Sequence, residues 1–451
     1  MNRTLCWTLI ASVMAVSSSS LCKADAKADV NDIATSYVKL VLEIGLYDDV
    51  YVDAYFGPGE WKPPETARED PFPAQRLGGS ADELIGRLTK IDPRGFNTLE
   101  KQRLAYLQKQ LSSAKAKIEL LGGRKMSFDE ESKALYDVVA PVRDEAYFQN
   151  ILQKLDQALP GSDELYWRLT SYRNQFTVPS GKLEEILKTV IGEDRRRTQE
   201  HMPLPEGERY DLQFVLAKPW GAATTYKGDG LSLIEVNSQI PFGIAEVEKL
   251  GSHEIYPGHH TYLTLLDKSL VRDRKWMEYT VVPLYSPLAL IAEGLAEYGS
   301  KDLLMTPAER ADFDRKVLLP LANLDPTDVE RYQRIIELKD ELESALTEAA
   351  RRYLDRRMTG DEMREWLRRY YLSAGGGVEN VIMFVEKYRS YVVTYTTGRQ
   401  LVREYVEKHS GADTASRWRV FHTLLSTPQT PSGLMGTDLR TPDSRTPGAR
   451  R

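Results

Sequence analysis

NTLEKQRLAYLQKQLSSAKAKIELL, residues Asn97–Leu121, decides the fold class, because its apolar positions obey a single rule. Leu104, Leu107, Leu111, Ala114, Ile118 and Leu121 recur at the three- and four-residue spacing that gathers them on one face of an α-helix. Asn97 followed by Glu100 is a capping signature at the start, and Gly122-Gly123 marks the end. The same start chemistry returns at Ser127 with Glu130, Thr306-Pro307 with Glu309, Asp325-Pro326 with Asp328, and Thr359 with Glu362. Against this background one stretch reads differently. Leu231–Asn237 (LSLIEVN) contains β-branched residues, partly alternates, and is bounded by Gly228-Asp229-Gly230 and Gln239-Ile240-Pro241, so it reads as a strand. Tyr55-Phe56-Gly57-Pro58-Gly59 is a loop, and no internal repeat recurs at a fixed period. The expectation is a mainly α chain with a short edge strand or small sheet.

With 451 residues, 41% apolar and 28% charged, the chain can bury a large core as one domain or two fused lobes. A formal charge of −6 argues against a nucleic-acid partner. The densest basic run, Arg195-Arg196-Arg197, follows Glu184, Glu185, Glu193 and Asp194 and reads as a solvated helix end. Residues 1–26 read as a signal peptide: Arg3, an apolar Leu5–Val16, then Ala24-Asp25-Ala26 as a cleavage site. This implies a periplasmic or secreted protein with no integral membrane span after cleavage. The apolar run is short for a permanent anchor, and Leu21 suits lipidation of Cys22 poorly. Both cysteines, Cys6 and Cys22, lie in this leader, so any metal site of the mature chain must use His, Asp and Glu. Residues 27–426 are expected to form the helical domain and 427–451, rich in Thr, Pro, Ser, Gly and Arg, a disordered tail.

Three of the six histidines fall within His253-Glu254-Ile255-Tyr256-Pro257-Gly258-His259-His260. Zinc hydrolases need imidazole ligands and a carboxylate to take a proton from water. The common arrangement is His at i and i+4 on one helix with Glu at i+1 as base. Here Pro257 occupies i+4. On an unbroken helix i+6 is rotated by about 240° from i, and i+7 lies about 10 Å along the axis. Pro257 and Gly258 must therefore break the helix, bringing either His259 or His260 to the metal beside His253. Ser286-Pro287 starts a further helix carrying Glu293 and Glu297, four apart on one face. Glu293 is the expected third ligand and Glu297 the acid that orients a ligand imidazole through its other N–H.

His253-Glu254-x-Tyr256-Pro257-Gly258-His259-His260 followed by Glu293-Gly294-x-Ala296 resembles the signature of the bacterial domain-of-unknown-function 885 family. Asp229-Gly230, Val236-Asn237, Tyr395 and Gly398 resemble its flanking pattern. That family is similar to glutamate-ligand zinc metallopeptidases (gluzincins), whose third ligand lies in an Asn-Glu-Gly-Phe-Ala-like string; Ala292 stands here in place of Asn and Leu295 in place of the usual aromatic residue. The family's Pro-Gly-Gln stretch is replaced by Arg389-Ser390-Tyr391. The resemblance implies a helical metallopeptidase-like domain with a deep cleft, and Leu231–Asn237 as the edge strand that aligns a peptide.

The sequence thus leads to an exported hydrolase with one Zn2+ ion, acting on a peptide or small-molecule substrate with Glu254 as general base. Tyr388, Tyr391 and Tyr395 recur at i, i+3, i+7, the spacing of a core-facing stripe. Tyr395 is the expected oxyanion donor among them, with Asn237 and Arg399 as substrate-binding candidates. The competing reading is a catalytically inactive zinc-binding protein, or a helical solute-binding protein.

Overall fold

The computed structural model describes residues 26–436 except Pro219 and Ala412. The expected signal peptide lies outside them apart from Ala26, as does the tail beyond Gly436. Helix accounts for 67% of the chain and strand for 7%, so the molecule is mainly α with small sheets.

Capping explains where the helices begin. Asn97, Ser127, Thr306 and Thr359 each accept a backbone N–H from the residue three ahead, and the acid at that position reaches back to the cap's own N–H. Asp325 departs from the expectation. Its carboxylate folds onto Thr327 in a local turn, and the helix starts at Val329. Helix α1 (Thr98–Leu121) buries Leu107, Leu111, Ala114 and Ile118 in the core, as their spacing requires.

Two small sheets lie among the helices. Strand β1 (Val52–Tyr55) and strand β5 (Val281–Pro283) pair antiparallel, whereas β2 (Arg209–Val215), β3 (Ala222–Gly228) and β4 (Leu231–Asn237) form a sheet in the order β2-β4-β3. The predicted strand therefore exists with its predicted bounds, but at the centre of its sheet. It pairs parallel with β2 and antiparallel with β3, so β4 is not the edge strand. The edge that lies against the site helices is β3. Its sequence AATTYKG lacks the apolar alternation that made β4 visible. The β3–β4 turn is carried by Asp229 and Gly230, both at positive φ.

Four helices carry the site: α2 (Ile244–Glu254), α3 (His259–Leu266), α4 (Pro287–Tyr298) and α5 (Val393–Ser410). Every residue of α4 is buried. It can be buried on all sides only because a second helix comes very close: a Cβ built on Gly294 would stand 2.5 Å from the Gly398 carbonyl oxygen, and one on Gly398 would stand 2.7 Å from the Leu290 carbonyl oxygen. Two glycines thus let the backbones of α4 and α5 touch.

Residues 427–436 correct the tail expectation. Thr430 caps a short helical turn at Pro431–Leu434, and the backbone N–H of Ser432 donates to Asp137 at 3.0 Å. The polar composition conceals this anchoring, because the partner carboxylate lies far away in sequence.

Replacing Gly398 with Val should destabilise the chain by about 1–3 kcal/mol, since the added methyls meet backbone that cannot yield. Gly192 sits exposed on the helix Leu183–His201 with nothing within 4 Å of an added Cβ. Gly192→Ala should therefore stabilise by about 0.5–1 kcal/mol. Urea unfolding of both variants checks the opposite signs.

Candidate metal and catalytic centre

The HExxPGHH stretch is two helices and a break. Helix α2 ends at Glu254, four residues follow, and α3 begins at His259. The chain folds back so tightly that a Cβ on Gly258 would stand 1.7 Å from the His253 carbonyl oxygen, a position open only to glycine. The Ile255 carbonyl accepts from both the N–H and the hydroxyl of Thr261, at 3.2 and 2.8 Å, which ties the two helices across the break.

This break brings together His253, His259 and Glu293, whose ligand atoms all lie within 4.8 Å of one another. His253 Nε2 is 3.1 Å from His259 Nε2 and 3.3 Å from Glu293 Oε2, and His259 Nε2 is 3.7 Å from the same oxygen. Tetrahedral ligands on bonds of 2.0–2.1 Å stand about 3.3 Å apart. Glu293 Oε2 is buried and meets no aligned hydrogen-bond donor, only the two imidazoles at 3.3 and 3.7 Å. The donor set, its spacing and this unsatisfied oxygen all fit one small divalent cation such as Zn2+.

Neighbouring residues hold the three in place. Tyr391 donates to Glu293 Oε1 at 2.8 Å, leaving Oε2 for the shared point. Glu297 lies 3.3 Å from His253 Nδ1, on the side of the ring away from Glu293. Glu297 is itself buried and flanked by Lys249 at 2.7 Å and Lys301 at 3.0 Å. Burial raises the Glu297 carboxyl, but these lysines and His253 outweigh it and hold it well below the usual carboxylate range. Burial also opposes charge on His253, yet Glu293 and Glu297 push it up to about 10. His259 is held below its ordinary value by burial. Glu254 is half-buried, its Oε2 accepting from Thr224 Oγ1 on β3 at 2.7 Å, and its charge acts on His259. Tyr395 stands in the field of Glu293, Glu297 and Glu254; burial first, then these charges, raises its hydroxyl well above the ordinary value, so it stays protonated.

No family model matches the chain, and no curated protein matches it. Among solved structures it is similar to a candidate lipoprotein from Colwellia psychrerythraea, at 15% identity and a TM-score of 0.47, covering 80% of this chain and 66% of that one. A candidate lipoprotein of unknown function from Shewanella oneidensis is similar at 12% identity and a TM-score of 0.44, covering 80% of this chain and 70% of that one. No helix among the described residues is long and apolar enough to cross a membrane.

Of the two candidate histidines, only His259 lies beside His253 and Glu293. His260 points away, with Nε2 2.9 Å from Glu208 Oε2 and Nδ1 2.8 Å from Ser232 Oγ. Glu208 also accepts from Tyr256 and pairs with Arg195. Burial alone would raise the Glu208 carboxyl, but His260, Tyr256 and Arg195 bring it down to about 2. His260 is thus part of a buried polar network that locks α3 to β4. Asn237 is likewise structural: its amide donates to the Lys218 carbonyl, and its oxygen accepts from Gln239 N–H. Arg399 pairs with Asp302 at 2.7 and 3.1 Å and, with Lys249 and Lys301, lines a cavity of about 860 Å3 on the Glu297 side of α2 and α4. The tyrosine stripe is not one helix. Arg389 takes a positive φ, the helix stops at Tyr388, and a tight turn precedes α5. Arg389 serves that turn by donating to Glu131.

Three further residues join the centre. Tyr391 was visible only as part of a stripe, and Thr224 belongs to the strand that alternation does not reveal. Asp53 lies on β1, facing solvent although deep among protein atoms. Burial, then Glu293 and Glu254, raises its carboxyl to about 7.

Replacing His260 with Ala should lower stability by about 1–3 kcal/mol, the cost of leaving Glu208 and Ser232 with lost partners. Urea unfolding monitored by circular dichroism checks this.

Proposed function

We propose that this chain is a zinc-dependent hydrolase that cleaves peptide bonds, with Glu254 as general base. The observation that carries the reading is the convergence of His253, His259 and Glu293 on one point, at 3.1, 3.3 and 3.7 Å, with a buried oxygen left unsatisfied. A bound Zn2+ would polarise the scissile carbonyl and make water a stronger nucleophile at neutral pH. Glu254, steadied by Thr224, takes the proton from the attacking water and returns it to the leaving amine. Tyr395, kept protonated, donates to the oxygen that gains negative charge. Glu297, charged by its two lysines, fixes the His253 ring.

The preference for a peptide comes from β3. It pairs with β4 on one side, Phe56 covers its Tyr226–Gly228 end on the other, and its Thr224 touches the base, so the remaining stretch of edge beside Glu254 is the place for an extended chain to add backbone hydrogen bonds. The HExxPGHH string supports membership of the domain-of-unknown-function 885 family. The leader pattern at residues 1–26 supports work in the periplasm or outside the cell.

Purified protein should hold one zinc per chain by plasma mass spectrometry. His259→Ala and Glu293→Ala should each lower zinc affinity at least tenfold, while His260→Ala keeps wild-type zinc content. Glu254→Gln should retain the metal yet lose about 100- to 10,000-fold in turnover of a peptide library. A zinc-free wild-type chain would favour a solute-binding protein. A zinc-loaded chain that cleaves nothing would favour an inert metal protein. Either result overturns the proposal.

A further inference from the structure

The pairing of β1 with β5 is irregular at one point. Val52 faces Pro283 and Ala54 faces Val282, so Asp53 is an extra residue with no partner opposite. Such a bulge turns a side chain out of the sheet's alternation and aims it elsewhere. Here it leaves Asp53 facing solvent between half-buried Val52 and buried Ala54. No hydrogen bond or ion pair among the described residues engages its carboxylate. The chain leaving β1 packs on β3, with Phe56 edge-on to Tyr226 at 4.8 Å, and β3 carries the Thr224 that holds Glu254, so Asp53 stands beside the same centre, in the field of Glu293 and Glu254. It is not one of the three residues whose ligand atoms converge, so it stands outside the first circle of donors.

An isolated acid facing two others is unfavourable unless something positive arrives. Glu293, Glu254 and Asp53 put an excess of acid groups on this side of the centre, and their repulsion, which raises Asp53, is relieved by a cation beside it. Glu297 does not add to this excess, since Lys249 and Lys301 neutralise it from behind. A substrate carboxylate would meet only repulsion at Asp53, whereas an ammonium or guanidinium would meet a carboxylate that no protein cation has claimed.

Resting on the hydrolase reading above, we propose that Asp53 is a specificity-determining residue that receives a cationic group of the substrate, either a free α-ammonium or the end of a lysine or arginine side chain. The bulge supplies its direction and the absence of a protein counter-ion supplies its vacancy for that group.

The test uses the zinc-loaded full chain and three peptides of one sequence: one with a free amino terminus and norleucine, one N-acetylated with norleucine, and one N-acetylated with lysine. Wild type should favour one of the two cationic peptides over the neutral one in kcat/KM, and which one identifies the source of the charge. Asp53→Asn should reduce that ratio about 10- to 100-fold, chiefly through KM, and Asp53→Glu should restore most of it. Zinc content and unfolding midpoint of both variants should match wild type. Equal use of all three peptides by wild type, an equal loss on all three in Asp53→Asn, or loss of zinc would each overturn the assignment. Equilibrium binding of the same peptides, followed by fluorescence anisotropy, separates this inference from the hydrolase reading. Charge-selective binding that Asp53→Asn removes, without any cleavage, would retain Asp53 and sink the hydrolase. Cleavage with no charge preference in binding or turnover would do the reverse.

Discussion

The approach of Gly258 to the carbonyl of His253 governs the rest of the centre. Only a residue without a side chain can lie there, and only because it does can the chain reverse between α2 and α3 within four residues. The reversal turns His259 toward His253 and His260 away from it, although the two are adjacent in sequence. One imidazole is delivered to the shared point and the other to a buried network with Glu208 and Ser232, so the same turn builds the site and fastens it to the sheet.

The second half of the centre depends on a different closeness. Gly294 and Gly398 let α4 and α5 touch, which encloses α4 completely and drives Glu293 and Glu297 inward. Two carboxylates in that setting would be expensive if left alone. Glu297 is offset by Lys249 and Lys301, and Glu293 by Tyr391 and the two imidazoles, so the cost is distributed over several helices. Burial therefore works as positioning: each acid is held by more than one partner.

Much of this was legible in the sequence for reasons that are local. Capping boxes and the three-four spacing are properties of a few neighbouring residues, and four of the five expected starts form as read. That His253 would meet one of the two following histidines was legible because helical geometry forbids it without a break, and Pro-Gly supplies one; the choice between His259 and His260 was not, because it depends on Glu208 and Ser232 far away in sequence. What stayed hidden is decided by partners distant in sequence. Whether β4 is an edge or a centre depends on β2 and β3, and β3 has no alternation of its own. Asn237 and Arg399 look available until Lys218 and Asp302 are seen to occupy them. Asp53 could not be found at all, because a bulge is a relation between two strands.

The complete enclosure of α4 also sets how the centre comes apart. A helix with no solvent-facing side cannot open on its own, so its amide hydrogens exchange only when the surrounding core lets go. The glutamate side of the centre therefore belongs to the slowest-opening part of the molecule. The histidine side shares much of that enclosure, because every residue of α3 after His259 is buried and His260 is bonded into the Glu208 network, so the two halves of the centre open together.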